Sequence, residues 1–259
     1  MNCFVCVTSV PDTASVIKIG SDGKNIDESG IKWIVSPFDE YALEEALQLT
    51  EAKGGEVTAV TYGPARSEAA LRDCLARGAH KAVHVIGGEA TLGDSFTIAK
   101  VLAKALDGRE YDLILCGNMG VGTDCAQVGP MLAELLGIPH VANVTKLDVG
   151  DGSLTAGREV EGGQETVESP VPALITCQKG LNEPRYAALK GIMAAKRKPV
   201  DKIEVASLGI DEGTGSTYTV RSLELPPPKS EGTIIQGEDD PAGAAAQLVN
   251  LLRSEAKAI

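Results

Sequence analysis

A glycine-rich loop between a predicted strand and a predicted helix has the residues best suited to binding an anion. Residues 115–128 read LCGNMGVGTDCAQV, in which the strand should end at Cys116 and Asp124 can cap the helix that follows. A strand, a glycine loop and a helix N-terminus together present free backbone N–H groups to an anion, commonly a phosphate. No lysine follows the glycines, so the pattern favours a bound mono- or dinucleotide over triphosphate hydrolysis. A tight turn without a ligand is the simpler interpretation of the same loop.

A second predicted helix begins at the sequence Ser36-Pro37-Phe38-Asp39. Ser36 suits the N-cap position, and Pro37 suits the first residue of a helix. Helix capping is sufficient to explain these residues. However, this N-terminus should lie at the carboxyl edge of the sheet, where open α/β folds bind their ligands. It is therefore a second candidate for ligand binding.

The sequence shows no arrangement of residues typical of a catalytic or metal site. Cys3 and Cys6 form a C-x-x-C pair, but residues three apart on a strand point to opposite faces and should not chelate or form a disulfide. The six cysteines lie in apolar segments, which favours reduced, buried thiols. Structural roles are likewise favoured for His80 and His84, beside and on a predicted strand. The lack of acid–base groups favours a protein that binds or transfers over an enzyme.

Apolar runs typical of strands alternate with amphipathic helical patterns along most of the chain. The predicted strands are 2–10, 57–62, 82–86, 111–116 and 171–177, and the predicted helices are 38–52, 67–76, 95–106 and 124–136. This alternation predicts an α/β fold with a doubly wound, mostly parallel sheet of the adenine-nucleotide-binding type. The segments 141–149, 153–160 and 164–169 predict a short antiparallel addition.

The character of the sequence changes after Lys198. Residues 1–198 are predicted to form the nucleotide-binding α/β domain, and residues 199–259 an extended C-terminal arm. The arm has little periodicity until Asp240 and Pro241 open an Ala-rich helix, so it should not form a second core. We expect it to pack on a partner subunit; a disordered tail is the alternative.

Composition limits the classes of partner. The formal net charge of -12 and the 3% aromatic content disfavour nucleic acid and anionic membrane surfaces. No apolar run approaches the roughly 20 residues needed to cross a bilayer, so no membrane insertion is expected. We expect a cytoplasmic protein, or one of the mitochondrial matrix if it is eukaryotic and already processed.

The segment 179–199 reads KGLNEPRYAALKGIMAAKRKP and follows a predicted strand. It should turn at Glu183-Pro184 and enter a helix that carries Leu189, Ile192 and Met193, closed by a basic cluster that suits a helix C-terminus. Spacing alone favours a helix that packs on the protein's own core.

The order of residues in this segment resembles the signature of electron-transfer flavoprotein beta subunits, Leu-Asn-Glu-Pro-Arg-Tyr followed by Ile-Met-x-x-Lys-x-Lys. Further matches to that family occur in order along the chain. They are Val5, Val7, Val10 and Asp12; Ser36-Pro37-Phe38; Ala42, Glu44, Glu45 and Ala46; Tyr62-Gly63-Pro64; Asp124 with Gln127; and 158–166. Several spaced matches in sequence order make a chance resemblance improbable.

The resemblance implies a doubly wound α/β subunit, paired with a larger alpha subunit that holds the redox FAD. Such a chain is an electron carrier and binds AMP as a structural ligand. Its electrons come from acyl-CoA dehydrogenases and pass to a quinone-reducing oxidoreductase. The implied AMP contacts are Cys6, Ser36, Pro37, Phe38, Asp39, Tyr62, Gly117, Asn118, Met119, Gly120, Val121, Gly122, Thr123, Asp124, Cys125, Ala126, Gln127 and Val128. The implied recognition segment for the dehydrogenase is Arg185, Tyr186, Ala187, Ala188, Leu189, Lys190, Gly191, Ile192 and Met193, with Leu189 as the inserting anchor.

Three departures from the family pattern leave alternatives open. Thr13 stands where many members carry a tyrosine beside the flavin, and Lys190-Gly191 replaces Pro-Asn after the anchor. Residues 11–13 and 126–130 are similar to members that bifurcate electrons and hold a second FAD in place of AMP. Phe38 and the full Asn-Glu-Pro-Arg-Tyr sequence at 182–186 are closer to the members that bind AMP. A stand-alone nucleotide-binding protein of the universal-stress type is a further alternative.

Overall fold

A computed structural model describes residues 1–87, 94–210, 219–228 and 232–259. The strands are β1 Asn2–Cys6, β2 Ser9–Pro11, β3 Trp33–Val35, β4 Glu56–Gly63, β5 Lys81–Ile86, β6 Leu113–Gly117, β7 His140–Val149, β8 Ser153–Val160, β9 Gly163–Pro170, β10 Ala173–Cys177 and β11 Asp201–Glu204. The helices are α1 Pro37–Lys53, α2 Glu68–Arg77, α3 Ser95–Leu106, α4 Val128–Leu136, α5 Leu189–Ala195 and α6 Pro241–Ser254, with 3-10 turns at Ala65–Ser67 and Val205–Leu208.

Nine of these strands form one sheet in the order β11-β5-β4-β1-β6-β10-β7-β8-β9. The strands from β11 to β7 run parallel, and β7, β8 and β9 form an antiparallel meander at one edge. The predicted α/β fold and its antiparallel addition are confirmed. The predicted strand 2–10 is two strands, because β2 leaves the large sheet and pairs antiparallel with β3.

Helices cover both faces of the sheet. Leu43 of α1 and Leu71 of α2 pack in the cluster that contains Cys3, whereas Leu102 of α3 packs in the cluster that contains Cys6. The two cysteines therefore point to opposite faces of β1, as the sequence predicts. Strands buried on both sides, with crossover helices on each face, make this a doubly wound sheet.

Beyond Lys198 the chain adds a strand that sequence analysis missed. The four residues of β11 pair in parallel with β5, and the following Val205 is buried. The chain separates into two compact units, residues 1–223 and residues 224–259. None of the fourteen residues of α6, in the second unit, is buried. Residues 211–218 and 229–231 of the predicted arm lie outside the described residues.

Among the helices that the structure describes, none is both long enough and apolar enough to cross a bilayer.

Candidate functional site

A cavity of about 560 Å³ lies where β1, β4 and β6 end. Parallel strands end at the same edge of the sheet, which is where open α/β folds bind ligands. The residues of the implied AMP site that line it are Cys6, Asp39, Tyr62, 117–123 and 125–128. Ser36, Pro37, Phe38 and Asp124, also implied AMP contacts, are not part of its lining. The structure thus brings most of the implied nucleotide contacts to one cavity.

Sequence analysis missed one side of this cavity. Arg66, Asp94 and Thr97 belong to the lining. Arg66 follows the carboxyl end of β4, and its guanidinium lies 4.1 Å from the ring centroid of Trp33. Asp94 is the N-cap of α3 and accepts a hydrogen bond of 3.0 Å from Phe96 N. Their position just after two parallel strands is the signal that could have identified them.

The glycine loop folds more tightly than predicted. The N–H groups of Thr123 and Asp124 both donate to the carbonyl of Gly120, at 3.2 and 2.9 Å. Asp124 and Ala126 adopt left-handed conformations, with φ of 48° and 52°, so the chain enters α4 only at Val128. The predicted helix start at residue 124 and the capping role of Asp124 are therefore wrong. The N-cap residue is Gln127.

The first turn of α4 offers free donors to the cavity. The N–H groups of Val128 and Gly129 donate to no other residue in the described part of the chain, and Pro130 has no N–H group. Val128 and Gly129 both line the cavity. Unpaired N–H groups at a helix N-terminus carry partial positive charge, so this end of the cavity suits a phosphate.

Asp39 ties the first helix to the glycine loop. Its carboxyl oxygens accept hydrogen bonds from Thr8 N at 2.7 Å and from Gly117 N at 2.9 Å. Burial raises the pKa of Asp39 to about 7, although the two N–H donors act in the opposite direction. The predicted N-cap of this helix is confirmed in part. Ser36 is the N-cap residue, but its side chain makes no capping hydrogen bond.

Asp39→Asn is expected to lower the free energy of unfolding by about 1–3 kcal/mol near pH 5, because its NH₂ group would face one of the two N–H donors. In the wild type, the folded state keeps a proton on Asp39 between about pH 4 and pH 7 that the unfolded state has released. The wild-type free energy of unfolding should therefore fall as the pH rises through this window. The difference between wild type and variant should shrink from about pH 5 to about pH 8 in urea denaturation.

The control for this substitution is Asp151→Asn, at an exposed carboxylate in a turn. It should change the free energy of unfolding by less than about 0.5 kcal/mol at either pH. A difference between wild type and Asp39→Asn that widens with rising pH would contradict a raised pKa at Asp39.

The predicted structural roles of the histidines are confirmed. His80 Nδ1 accepts a hydrogen bond from Val57 N at 3.0 Å, and His84 is buried with Nε2 3.1 Å from the carbonyl of Gly63. No group of three or more potential metal ligands occurs within the described ranges.

All six cysteines are free, but Cys125 is exposed, so the expectation that every thiol is buried is wrong.

The segment before α5 is fastened to α1. Arg185 binds the carboxylate of Glu44 through Nε at 2.7 Å and Nη2 at 2.9 Å, and it also pairs with Glu51. Asn182 donates to the Tyr41 carbonyl at 3.0 Å and to Glu45 at 2.9 Å. Burial acts to raise the pKa of Glu44, but the hydrogen bonds from Arg185 and Gln48 and the charge of Arg185 together lower it below its usual value. These paired contacts fix the start of the recognition segment.

The apolar side chains of α5 point away from the protein's core. On α5, Leu189 is 76% exposed and Met193 62%, and Ala195 is the buried residue of the helix. Tyr186, which precedes the helix, is 93% exposed. The prediction from spacing alone, that this helix packs on the chain's own core, is therefore wrong for Leu189 and Met193. Large exposed apolar residues that lie together are typical of an interaction surface.

Comparisons with known proteins agree with this architecture. A family model described as electron transfer flavoprotein domain matches residues 24–208. The electron transfer flavoprotein subunit beta of Bacillus subtilis (strain 168) is 44% identical over 262 aligned residues, which cover 100% of both chains. The subunit of the same name from Thermoanaerobacterium thermosaccharolyticum is 38% identical, with 92% of this chain and 93% of that one covered. The Bos taurus subunit of the same name is 35% identical, and the match covers 93% of this chain and 94% of that one.

The chain therefore belongs to the electron transfer flavoprotein family, as a beta subunit. It is an electron carrier. Family membership over the full length excludes the alternative of a stand-alone protein of the universal-stress type.

Proposed function

We propose that this chain binds AMP as a structural ligand and pairs with an alpha subunit that holds the redox FAD. The observation that carries this proposal is the cavity at the carboxyl edge of the sheet. Its glycine loop and the free N–H groups at the start of α4 suit a phosphate, and no lysine lies in the loop to serve triphosphate chemistry. Most of the AMP contacts that the resemblance implies line this cavity, which supports the proposal.

A second FAD in place of AMP is the alternative ligand. The extent of the cavity favours it, because the lining continues past the implied AMP contacts to Asp12, Arg66 and Thr97. Acid extraction of the purified complex, followed by chromatographic counting of AMP and FAD, separates the two. About one AMP and one FAD per heterodimer support the AMP proposal, whereas two FAD without AMP support the alternative. A complex with neither nucleotide beyond the alpha-subunit FAD would defeat both.

Gly122→Val is expected to weaken AMP binding about tenfold. Gly122 has a φ of +94°, which a β-branched residue adopts only with strain, and an added Cβ there would meet nothing within 4 Å. The cost should therefore come from the backbone of the phosphate-binding loop. Calorimetric titration of AMP into nucleotide-free protein measures it.

Gly163→Val provides the matched control. Gly163 lies in β9, has no positive φ and has no atom within 4 Å of an added Cβ. This variant should bind AMP as the wild type does. Unchanged affinity in Gly122→Val would show that the loop does not hold the phosphate.

We also propose that residues 185–193 receive acyl-CoA dehydrogenases, with Leu189 as the anchor, and that the electrons pass on to a quinone-linked acceptor. The exposure of Tyr186, Leu189 and Met193 supports the docking role, since a few apolar side chains buried at an interface supply much of its affinity. The Arg185 pairs to α1 would hold this surface in place before the dehydrogenase binds.

Residues 224–259, the part of the predicted arm that forms the second compact unit, are proposed to pack on the alpha subunit. Exposed Leu248 and Val249 on α6 give them apolar surface to bury against a partner. Removal of residues 224–259 is expected to leave 1–223 folded and to weaken the heterodimer at least about tenfold. Sedimentation of the two subunits mixed at known concentrations measures this. Loss of the circular dichroism signal of residues 1–223 after the truncation would instead place the arm in the core.

A further inference from the structure

Two cysteine thiols meet on the floor of the cavity. Cys6 of β1 and Cys116 of β6 are direct cross-strand partners in a parallel pair, and both side chains belong to the apolar cluster on the same face of the sheet. The neighbouring Cys6 side chain raises the pKa of the Cys116 thiol, as expected for two thiols that lie side by side. Both line the cavity and keep a small exposed fraction, 7% for Cys6 and 6% for Cys116. A small diffusing ion can therefore reach both sulfur atoms from one side.

The spacing of the pair suits a bridging metal better than a disulfide. Residues opposite each other on neighbouring parallel strands project their side chains side by side, about 4.8 Å apart. A disulfide needs its Cβ atoms about 3.5–4.5 Å apart, so closing one here would require the strands to move. Two metal–thiolate bonds of about 2.3 Å each span up to about 4.6 Å between the sulfur atoms. Side-by-side placement on neighbouring strands therefore suits a linear two-coordinate ion better than a disulfide.

The charge of two thiolates and the number of nearby donor groups indicate which kind of metal ion would bind here. Two thiolates with a divalent ion form a neutral unit, whereas a monovalent ion would leave a negative charge near the buried Asp39 carboxyl. The structure offers no third histidine, cysteine or carboxylate to complete a larger ligand set in the ranges it describes. We propose that Cys6 and Cys116 form a two-thiolate site for a soft divalent cation of linear coordination, for which Hg²⁺ is the probe.

Binding exchanges protons for metal without any oxidation. Two S–H bonds break, two S–Hg bonds form, and two protons leave to the solvent. The neighbouring Cys6 thiol and burial both raise the pKa of Cys116, so its proton is still present at neutral pH until the metal displaces it. A second consequence rests on the proposed function: because both thiols line the nucleotide cavity, the metal and AMP should exclude each other.

The test uses the full-length chain with Cys125→Ser, which removes the exposed thiol. The protein is loaded with one equivalent of HgCl₂, challenged with excess N-acetylcysteine and desalted, and its mercury content is measured. About one Hg per chain should survive, because two preorganised thiolates outcompete separate monothiols, and about two protons should be released on loading. Adding Cys6→Ser or Cys116→Ser should reduce the retained mercury at least about tenfold.

Alkylation by iodoacetamide and peptide mass spectrometry give a readout that needs no further variant. Mercury should protect Cys6 and Cys116 together, in protein whose circular dichroism is unchanged. Equal retention in the serine variants, or protection of only one of the two thiols, would overturn the site. Retention that excess AMP does not reduce would leave the metal site intact and count against the nucleotide proposal alone.

Discussion

Gly117→Ala is expected to destabilise the protein by about 3 kcal/mol or more and to abolish retention of the nucleotide. A Cβ at this position would lie 2.4 Å from Asp39 Oδ1 and 2.7 Å from both Asp39 N and the Phe38 carbonyl carbon. Two of these three atoms are backbone atoms at the start of α1, so the helix itself would have to move. The movement would also break the hydrogen bond from Gly117 N to Asp39. Urea denaturation and nucleotide extraction on the same preparation measure both effects.

Gly163→Ala is the matched control for this substitution, since an added Cβ there meets nothing within 4 Å. It should change the free energy of unfolding by less than about 0.5 kcal/mol. A Gly117→Ala variant as stable as the Gly163→Ala control would show that the close approach of α1 and β6 contributes little to stability.

Much of the fold could be predicted from local patterns in the sequence. The helix predicted at 95–106 is α3, and Ser36-Pro37 marks the start of α1, because apolar periodicity and capping residues act within a few positions of each other. The antiparallel segments are β7, β8 and β9, whose alternation and intervening turn residues are also local. Such signals do not depend on which strands become neighbours.

The errors lie where distant contacts decide the local structure. The strand β11 has four residues without clear alternation, and its pairing with β5 is visible only once the sheet has formed. The delayed start of α4 depends on left-handed Asp124 and Ala126. Aspartate tolerates this conformation and is also a helix-capping residue, and alanine rarely adopts it, so the sequence does not identify the turn. The division of β1 from β2 depends on pairing with β3, which lies more than twenty residues further along the chain.

The candidate site was predicted only in part, because some of its residues are adjacent in sequence and others are brought together by the order of strands. Its glycine loop is contiguous in sequence, so the strand, loop and helix order indicated it directly. Arg66 and Asp94 reach the cavity from two other strand ends, and only the order of strands in the sheet places them there. The helix start at Ser36-Pro37-Phe38-Asp39 was indicated by its capping residues, and the resemblance added Cys6 and Tyr62, which no short motif connects to the loop.

The other large effect is expected at the recognition segment, where Leu189→Ala should slow electron transfer from the dehydrogenase about 30-fold. Leu189 is 76% exposed, so its truncation removes little from the chain's own core. Loss of one buried anchor at an interface costs about 2 kcal/mol, which corresponds to about a 30-fold loss of affinity. The melting temperature, the FAD content and the nucleotide content should stay near those of the wild type. Dehydrogenase-coupled flavin reduction at subsaturating dehydrogenase measures the rate.

Leu135→Ala separates anchoring from the general loss of an exposed leucine. Leu135 is 43% exposed on α4, outside the recognition segment, so this variant should transfer electrons at the wild-type rate. An increase in the apparent dehydrogenase concentration for half-maximal rate, with an unchanged maximal rate, would assign the Leu189 effect to docking. A Leu189→Ala variant that melts earlier but has normal rates per folded molecule would instead return the residue to a packing role. Because Arg185 holds this segment on α1 through Glu44 and Glu51, the anchor is presented by a fixed element, and its loss should not be relieved by rearrangement of the neighbouring residues.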